Sequence, residues 1–376
     1  MLKSRLLIVL GALAIAACSE QPRRVGVWAG PTGANIARMA ATEINFNGGV
    51  AGRRLVARVV AQQAVSFSEL TQETLKLSLD SISSDTTVLA MITRMTDTIT
   101  GAAATRWESM GMPYLVTTPV SEQYAKTHPN AFLLVPTIEE QAEYLAEQAL
   151  LEPQPRRVAL LNVREPHADS MTAAIVRELN ARGIEPVYST SFSQAADEFN
   201  LTAKAAELAT HTPTILYFIG RSPSLFVMHG TIRNKLPDIR LLGSDMVESF
   251  HVYGNPGWKY TGLRFVRYFD PLSTTDSAVA KLRDRFWGWV GRNELNSEAG
   301  ITYDAIAGLA HAMQAGAVTR SGLAEALRAS LDYKGVVGPV QFGPERRVRR
   351  TMYLAEVRTD SIVTVGSSIT EGIARR

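Results

Sequence analysis

The stretch Ala41-Thr42-Glu43-Ile44-Asn45-Phe46-Asn47-Gly48-Gly49-Val50-Ala51-Gly52-Arg53-Arg54-Leu55 decides the fold. Apolar residues leading into it recur at helical spacing, which predicts an amphipathic helix: Ile36, Met39, Ala40 and Ile44. The Asn- and Gly-rich residues 45–49 end that helix, because both types tolerate the left-handed backbone of a C-terminal cap. Gly52 then turns the chain into residues 54–60, a β-branched run typical of a strand. With a strand at residues 25–29 in front, the unit is strand, helix, strand, joined by a right-handed parallel crossover.

The order E-I-N-F-N-G-G-V-A-G-R in this stretch resembles the opening of a known family. In the leucine/isoleucine/valine-type solute-binding proteins of bacterial ABC transporters, a helix ending E-I-N-x-x-G-G-V-x-G-R leads into the second strand. Three later segments resemble the same family: L-L-G-S-D at 241–245, Y-D-A-I-A-G-L at 303–309 and G-V-V-G-P-V-Q-F-G at 335–343. The resemblance spans about residues 24–358. The alternative is an arbitrary α/β unit with the same punctuation, which a match over a dozen positions disfavours.

The rest of the chain alternates strands and helices, a pattern typical of mostly parallel sheets covered on both faces. About 46% hydrophobic composition in a chain of this length exceeds what one core usually serves. The resemblance implies an α/β fold of two doubly wound lobes joined by three hinge crossovers, the type I periplasmic-binding fold, which closes around its ligand. The predicted domains are a signal peptide at 1–17, a tether at 18–23, lobe 1 at 24–136 and 264–337, and lobe 2 at 137–263 and 338–376.

The first segment is predicted to be a targeting signal. Lys3 and Arg5 form a positive start, and the apolar run of residues 6–17 is too short, at 1.5 Å per residue, for a bilayer of roughly 30 Å. The run ends Ile15-Ala16-Ala17-Cys18, with the only cysteine of the chain. This end resembles a bacterial lipobox, in which the thiol of Cys18 is acylated and anchors the protein to a membrane. The alternative is an ordinary signal peptide with a coincidental cysteine.

Charge and motif content exclude several function classes. Removal of residues 1–17 takes away two basic residues and no acid, so the formal charge falls from +3 to +1, and no nucleic-acid partner is predicted. A single cysteine allows neither an internal disulfide nor a thiolate metal site. No histidine pair has metal-binding spacing, and no nucleophile elbow or phosphate loop is present. We therefore predict no enzyme, no metal and no cofactor. An arginine-rich segment after Gly343-Pro344, residues 346–350, is interpreted as a solvated loop.

The predicted ligand site lies in the loops that follow the strands, where open α/β sheets bind ligands. Seven residues are candidate ligand contacts: Trp28, Asp97, Thr117, Thr118, His167, Arg221 and Asp245. Trp28 would form a flat apolar wall or belong to the core, and Asp97 would contact ligand or only cap a helix. The two threonines would hold a carboxylate or lie in a solvated loop. The turn from Gly30 to Gly33 is a further place where an anion could meet a helix N-terminus.

The three second-lobe candidates complete this site. His167 replaces the family's tyrosine, and Arg221 could reach a carboxylate. Asp245 could meet an ammonium group or be an ordinary turn residue. The expected function is therefore an extracytoplasmic, lipid-anchored, monomeric solute-binding protein that delivers a small polar ligand, an amino acid or amide-like compound, to an ABC-type permease. The alternative is an interaction or regulatory lipoprotein on the same fold with no transport role.

Overall fold

Two large sheets organise the chain. The computed structural model describes residues 21–61, 69–94, 98–193, 196–248, 252, 260–291, 295–329 and 331–368. The first sheet has the order β2-β1-β3-β4-β5, and all of its strands are parallel. Its strands are β1 Arg23–Ala29, β2 Leu55–Ala61, β3 Val88–Thr93, β4 Tyr114–Val116 and β5 Ala131–Leu133.

The second sheet has the order β14-β13-β10-β9-β8-β6-β7 and is parallel except for β13 and β14. Its first five strands in the chain are β6 Val158–Val163, β7 Tyr188–Phe192, β8 Ile215–Ile219, β9 Arg240–Gly243 and β10 Leu263–Arg267. A two-stranded ribbon follows, formed by β11 Tyr333–Lys334 and β12 Pro339–Val340. The antiparallel strands that close the second sheet are β13 Tyr353–Val357 and β14 Ile362–Ser367.

Helices cover both sheets. The helices of the first part of the chain are α1 Pro31–Phe46, α2 Glu69–Ser84, α3 Thr98–Ser109 and α4 Glu122–Thr127. Those that cover the second sheet are α5 Ile138–Leu151, α6 Pro166–Ala181, α7 Glu198–Thr210 and α8 Ser222–Lys235. The chain then returns to pack against α1 and β3 through α9 Ser277–Val290, α10 Ser297–Gln314 and α11 Arg320–Arg328. We call the first sheet with its helices the first lobe, and the second sheet with its helices the second lobe.

The opening strand–helix–strand unit is as predicted. Helix α1 ends at Phe46, and Gly49 lies in the left-handed region at φ +74°. A Cβ at Gly49 would come within 2.2 Å of the Arg53 carbonyl oxygen, so only glycine fits this turn. Asn45 also ties the helix end to β2, because its side chain donates to the Leu55 carbonyl at 2.8 Å and accepts from the Leu55 N–H at 2.7 Å. The Asn and Gly positions therefore fix both the turn and the strand that follows it.

The chain passes between the sheets three times, which confirms the predicted fold class. The first crossing follows β5 and leads into α5, whose capping box is formed by Thr137 and Glu140. The second follows β10, and the third follows β12. Strand β10 belongs to the second sheet, so the chain leaves that sheet after Arg267. The division of the whole chain into the four lobe segments given above stays a prediction.

The arginine-rich segment is only partly solvated: Arg349 is exposed, but the prediction of a solvated loop is wrong for Arg346, Arg347 and Arg350. Arg346 donates to the Ala125 carbonyl, and Arg347 pairs with Glu140 at 3.0 Å. Arg350 donates to the Leu134 carbonyl in the first crossing, and its terminal guanidinium nitrogens are buried. Local composition predicts exposure, but the burial of these arginines depends on elements more than two hundred positions away in the sequence.

Candidate functional site

The candidate site is bounded by the carboxyl ends of the parallel strands in the two lobes. In the first lobe, Gly30 follows β1, Arg94 follows β3 and Thr117 follows β4. In the second lobe, Arg164 and Glu165 follow β6, and Gly220 and Arg221 follow β8. Because the strands within each sheet are parallel and adjacent, these loops gather at one edge of each sheet. We call the two edges the first wall and the second wall.

The first wall contains an internal carboxylate. Glu298, in the first turn of α10, accepts the Gly30 N–H through Oε1 at 2.6 Å. The Arg94 guanidinium lies 3.4 Å from the same oxygen, and both side chains are mostly buried. A carboxylate in the first turn of α10 is also favoured by the helix dipole.

Glu298 occupies the place that the sequence suggested for an anion at the N-terminus of α1. A Cβ at Gly33 would come within 2.9 Å of Glu298 Oε1 and within 2.8 Å of the Ala29 Cβ, so glycine is needed here. The N-terminal turn of α1 is thus matched to a carboxylate that the chain itself supplies.

The two threonines of the first wall are buried. The Thr117 hydroxyl donates to the Thr93 carbonyl at 3.2 Å, and the Thr117 N–H donates to the same oxygen at 2.9 Å. Thr118, the next residue, is also buried. Neither threonine therefore lies in a solvated loop, and the Thr117 hydroxyl donates to backbone.

Trp28 lies in the core of the first lobe. It is fully buried and belongs to a cluster with Trp107 and Tyr114. This placement matches the core alternative for Trp28 rather than a flat wall that touches ligand. Asp97 lies outside the described residues, so its role as cap or contact stays a prediction.

The second wall carries an arginine–carboxylate pair. Glu165 precedes α6 and Arg221 precedes α8, each as the N-terminal cap residue of its helix. Arg221 Nη2 lies 3.6 Å from Glu165 Oε2, and 37% of the Arg221 side chain is exposed. Arg221 lies in a loop after a strand, as predicted. Its neighbour there is Glu165, which the sequence analysis did not name.

His167 and Asp245 are neighbours in the second wall. His167 Nε2 lies 4.0 Å from Asp245 Oδ1, and the histidine ring is almost fully buried. Gln141 of α5 holds the aspartate from the other side, because its Nε2 donates to Asp245 Oδ1 at 3.1 Å and its Oε1 accepts the Asp245 N–H at 3.0 Å. The sequence prediction named the first two residues but not the glutamine that fixes the aspartate.

A short polar bridge joins the two lobes beside the second wall. Glu248 follows β9 and accepts the Ser297 N–H at the start of α10 at 3.2 Å. The Ser297 hydroxyl in turn accepts the Tyr268 N–H at 2.9 Å. Burial raises the pKa of Tyr268, and the charges of Asp245 and Glu248 raise it further, so its hydroxyl stays protonated. The Tyr268 hydroxyl accepts a hydrogen bond from Gln141, so the bridge is continuous with the second wall.

Both walls carry charged side chains that can form hydrogen bonds with a bound ligand. Each wall offers an arginine beside a carboxylate, and the second adds a buried histidine and a mostly buried aspartate. Within the described ranges, no group of three or more His, Cys, Asp or Glu side chains is arranged to hold a metal ion. A ligand with both donors and acceptors could replace the water and the partners of these charges.

Sequence reasoning missed several wall residues: Arg94, Gln141, Glu165, Glu248 and Glu298. Arg94 and Glu165 could have been found, because each lies within two residues of the end of a strand. Glu298 could not, because 268 positions separate it from Gly30. Only the packing of α10 against α1 brings the two together.

Comparisons with known proteins agree with this architecture. A sequence model of the family described as periplasmic binding protein matches residues 26–361. No curated protein matches the chain in a sequence search. Among solved structures, the leucine binding protein LivK from Thermotoga maritima is 14% identical, with a TM-score of 0.78 over 92% of this chain and 98% of that chain.

Two further solved structures have the same fold. The branched-chain amino acid transporter substrate binding protein LivJ from Streptococcus pneumoniae, in complex with isoleucine, is 16% identical, with a TM-score of 0.78 over 92% of this chain and 99% of that chain. A solute binding protein from R. palustris, in complex with benzoate, is 15% identical, with a TM-score of 0.77 over 92% of this chain and 96% of that chain. The predicted resemblance and the type I periplasmic-binding fold are confirmed.

Proposed function

The chain belongs to the periplasmic binding protein family, and we propose that it is a lipid-anchored, extracytoplasmic solute-binding protein for ABC-type uptake. The observation that carries this proposal is the pair of polar walls at the carboxyl edges of the two sheets. Each wall presents an arginine and a carboxylate, Arg94 with Glu298 and Arg221 with Glu165. The family match and the fold place a binding function first, and we propose no catalytic step.

We propose that the ligand is small and polar, an amino acid or an amide-like compound. A zwitterion needs donors for its carboxylate and acceptors for its ammonium group, and the second wall offers Arg221 for the one and Asp245 for the other. The structural relatives bind isoleucine in one case and benzoate in another, so the fold accepts ligands of different chemistry. His167, where the family has tyrosine, and Asp97, where it has a hydroxyl residue, separate this chain from the branched-chain amino acid pattern.

We further propose that Cys18 is acylated and that the mature protein is a monomer on the outer side of a membrane. The lipobox-like end of the first apolar run supports the anchor. In the described part of the chain, no helix has the length and apolar character needed to cross a membrane. Replacement of the thiol in Cys18→Ser should release the protein or leave an unprocessed precursor, measured by fractionation and intact mass. A mutant that fractionates with membranes and is processed like the parent would contradict the anchor.

Isothermal titration against an amino-acid and amide library tests the binding function. We expect heat from at least one compound, together with a smaller radius of gyration by X-ray scattering once that compound is bound. Asp245→Asn should weaken that binding by about ten- to a hundredfold, because a charge-assisted hydrogen bond to an ammonium group is lost. Asp238→Asn, in the exposed turn before β9, is the matched control and should leave the affinity unchanged.

Silence of the whole library would favour the second candidate, an interaction lipoprotein without a small ligand. One observation favours this alternative. The hydrogen bond from the Ser297 N–H to Glu248 already links the two lobes without a ligand. Binding without a change in the scattering profile would contradict hinge closure but not the proposed binding site.

A further inference from the structure

The amino ends of the strands in the first sheet, opposite the first wall, carry a basic edge. It consists of Arg23 and Arg24 at the start of β1 and of Arg53 and Arg54 just before β2. The two pairs are adjacent, because the Arg23 N–H donates to the Arg54 carbonyl at 2.8 Å. Four arginines thus lie at the same end of the first lobe.

An exposed aromatic side chain lies at the same edge. Phe46 is the last residue of α1, and 91% of it is exposed. Its neighbour Asn45 is hydrogen-bonded to Leu55 in both directions, which fixes Phe46 next to the start of β2. A phenylalanine beside arginines is the composition expected of a surface that meets lipid headgroups and the outer acyl region.

Carboxylates near this edge are engaged by other arginines. Asp85 pairs with Arg58 at 2.6 Å, and Glu43 pairs with Arg285 of α9 at 2.8 Å. Arg24 donates instead to a neutral hydroxyl, that of Thr87, at 2.6 Å. These two ion pairs therefore involve arginines outside the basic edge.

The position of Cys18 in the sequence points to what this edge would meet. Arg23 follows Cys18 by five positions, and an extended chain spans at most about 3.6 Å per residue, so the two lie within about 18 Å of each other. We propose that the basic edge, with Phe46, rests on an anionic lipid surface. This inference rests on the lipid anchor of the proposed function, which would hold the edge close to the headgroups.

The pose has a consequence for the ligand site. The walls lie at the carboxyl ends of the strands and the basic edge at their amino ends, so the cleft would face the solution while the edge contacts lipid. Electrostatic attraction to the headgroups acts within about 8 Å at physiological salt, and the short tether would let the edge come that close. The lipid anchor and the basic edge would thus act together as two linked contacts that hold the protein on the membrane.

Vesicle co-sedimentation tests the pose. The probe is a set of vesicles of phosphatidylcholine with about 30% phosphatidylglycerol, compared with phosphatidylcholine alone. The protein is the mature chain with Cys18→Ser, which carries no acyl group. We expect binding to the anionic vesicles only, lost when the salt is raised to about 0.5 M. Arg53→Gln/Arg54→Gln should weaken the partition about 25-fold, at about fivefold for each arginine.

Arg177→Gln/Arg358→Gln is the matched control, because both arginines are exposed in the second lobe and the charge change is the same. It should partition like the parent. If the Arg53/Arg54 variant does not fold, Phe46→Ser/Arg54→Gln alters two exposed side chains and should show the same loss. Absence of binding to anionic vesicles, or equal loss in the control, would overturn the proposal. Since the assay contains no acyl chain, its result is independent of whether Cys18 is lipidated.

Discussion

Two carboxylates of this molecule lie in the field of an arginine, and they differ in their access to water. Near the third crossing, Asp304 is fully buried and accepts the N–H groups of Val336 and Val337 at 2.7 and 2.8 Å, and the charge of Arg350 acts to lower its pKa. In the second wall, Glu165 and Arg221 lie 3.6 Å apart and the arginine is partly exposed. Loss of a buried acceptor leaves its N–H donors without a partner or water, whereas a partly exposed ion pair contributes little to folding. The first region should therefore respond to substitution by unfolding, and the second by a change in binding.

Asp304→Asn should give the largest loss of stability. The amide has one oxygen for two N–H donors, so one buried N–H group is left without an acceptor. Such a group costs about 1–3 kcal/mol of unfolding free energy, measured by urea denaturation. Asp332→Asn makes the same chemical change at an exposed aspartate of the adjacent loop and should cost less than about 0.5 kcal/mol. Equal effects of the two substitutions would remove the contrast between the regions.

The pH dependence of the same variant sharpens the comparison. Burial raises the pKa of Asp304 to about 6, against the attraction of Arg350 and the two N–H groups. Because the folded pKa lies above the unfolded value of 3.8, protonation stabilises the folded state, and this contribution is lost as the pH rises through about 6. The difference in stability between the parent and Asp304→Asn should therefore narrow from pH 4.5 to pH 7.5. A difference that stays constant would show that Asp304 does not titrate there.

The sequence predicted the parts of the molecule that depend on local order. The turn after α1 follows from Asn45 and its glycines, and the second-wall residues His167 and Asp245 follow from their positions after strands. Burial of Arg350 and the place of Glu298 depend on partners more than two hundred positions away. The residue pattern within one segment does not show which distant element packs against it. For this reason the sequence gives the wrong prediction for Arg350 and does not identify Glu298.

Glu298→Gln in the first wall should lie between the two extremes. The amide oxygen can still accept the Gly30 N–H, but the charge opposite Arg94 and in the first turn of α10 is lost. A partly buried ion pair and a favourable charge at a helix N-terminus each contribute under about 1 kcal/mol, so we expect a loss of about 1 kcal/mol in urea denaturation. Glu198→Gln, an exposed acid in the first turn of α7, is the control for the dipole effect alone. A loss as large as that of Asp304→Asn would place Glu298 with the buried carboxylate.

Arg221→Gln in the second wall should have the smallest effect on folding. Its ion pair with Glu165 is partly open to water, and such pairs contribute about 0–1 kcal/mol, so the urea midpoint should move little. Arg177→Gln is a close control, because Arg177 also lies 3.6 Å from a glutamate, Glu178, but on the far half of α6. The two variants should match in stability and differ in titration, where only Arg221→Gln should weaken a carboxylate-bearing ligand, by about tenfold or more, since a charged hydrogen bond contributes about 1.5–3 kcal/mol. If both variants bind the ligand like the parent, Arg221 is a surface ion pair like Arg177, and the carboxylate must be held by the first wall.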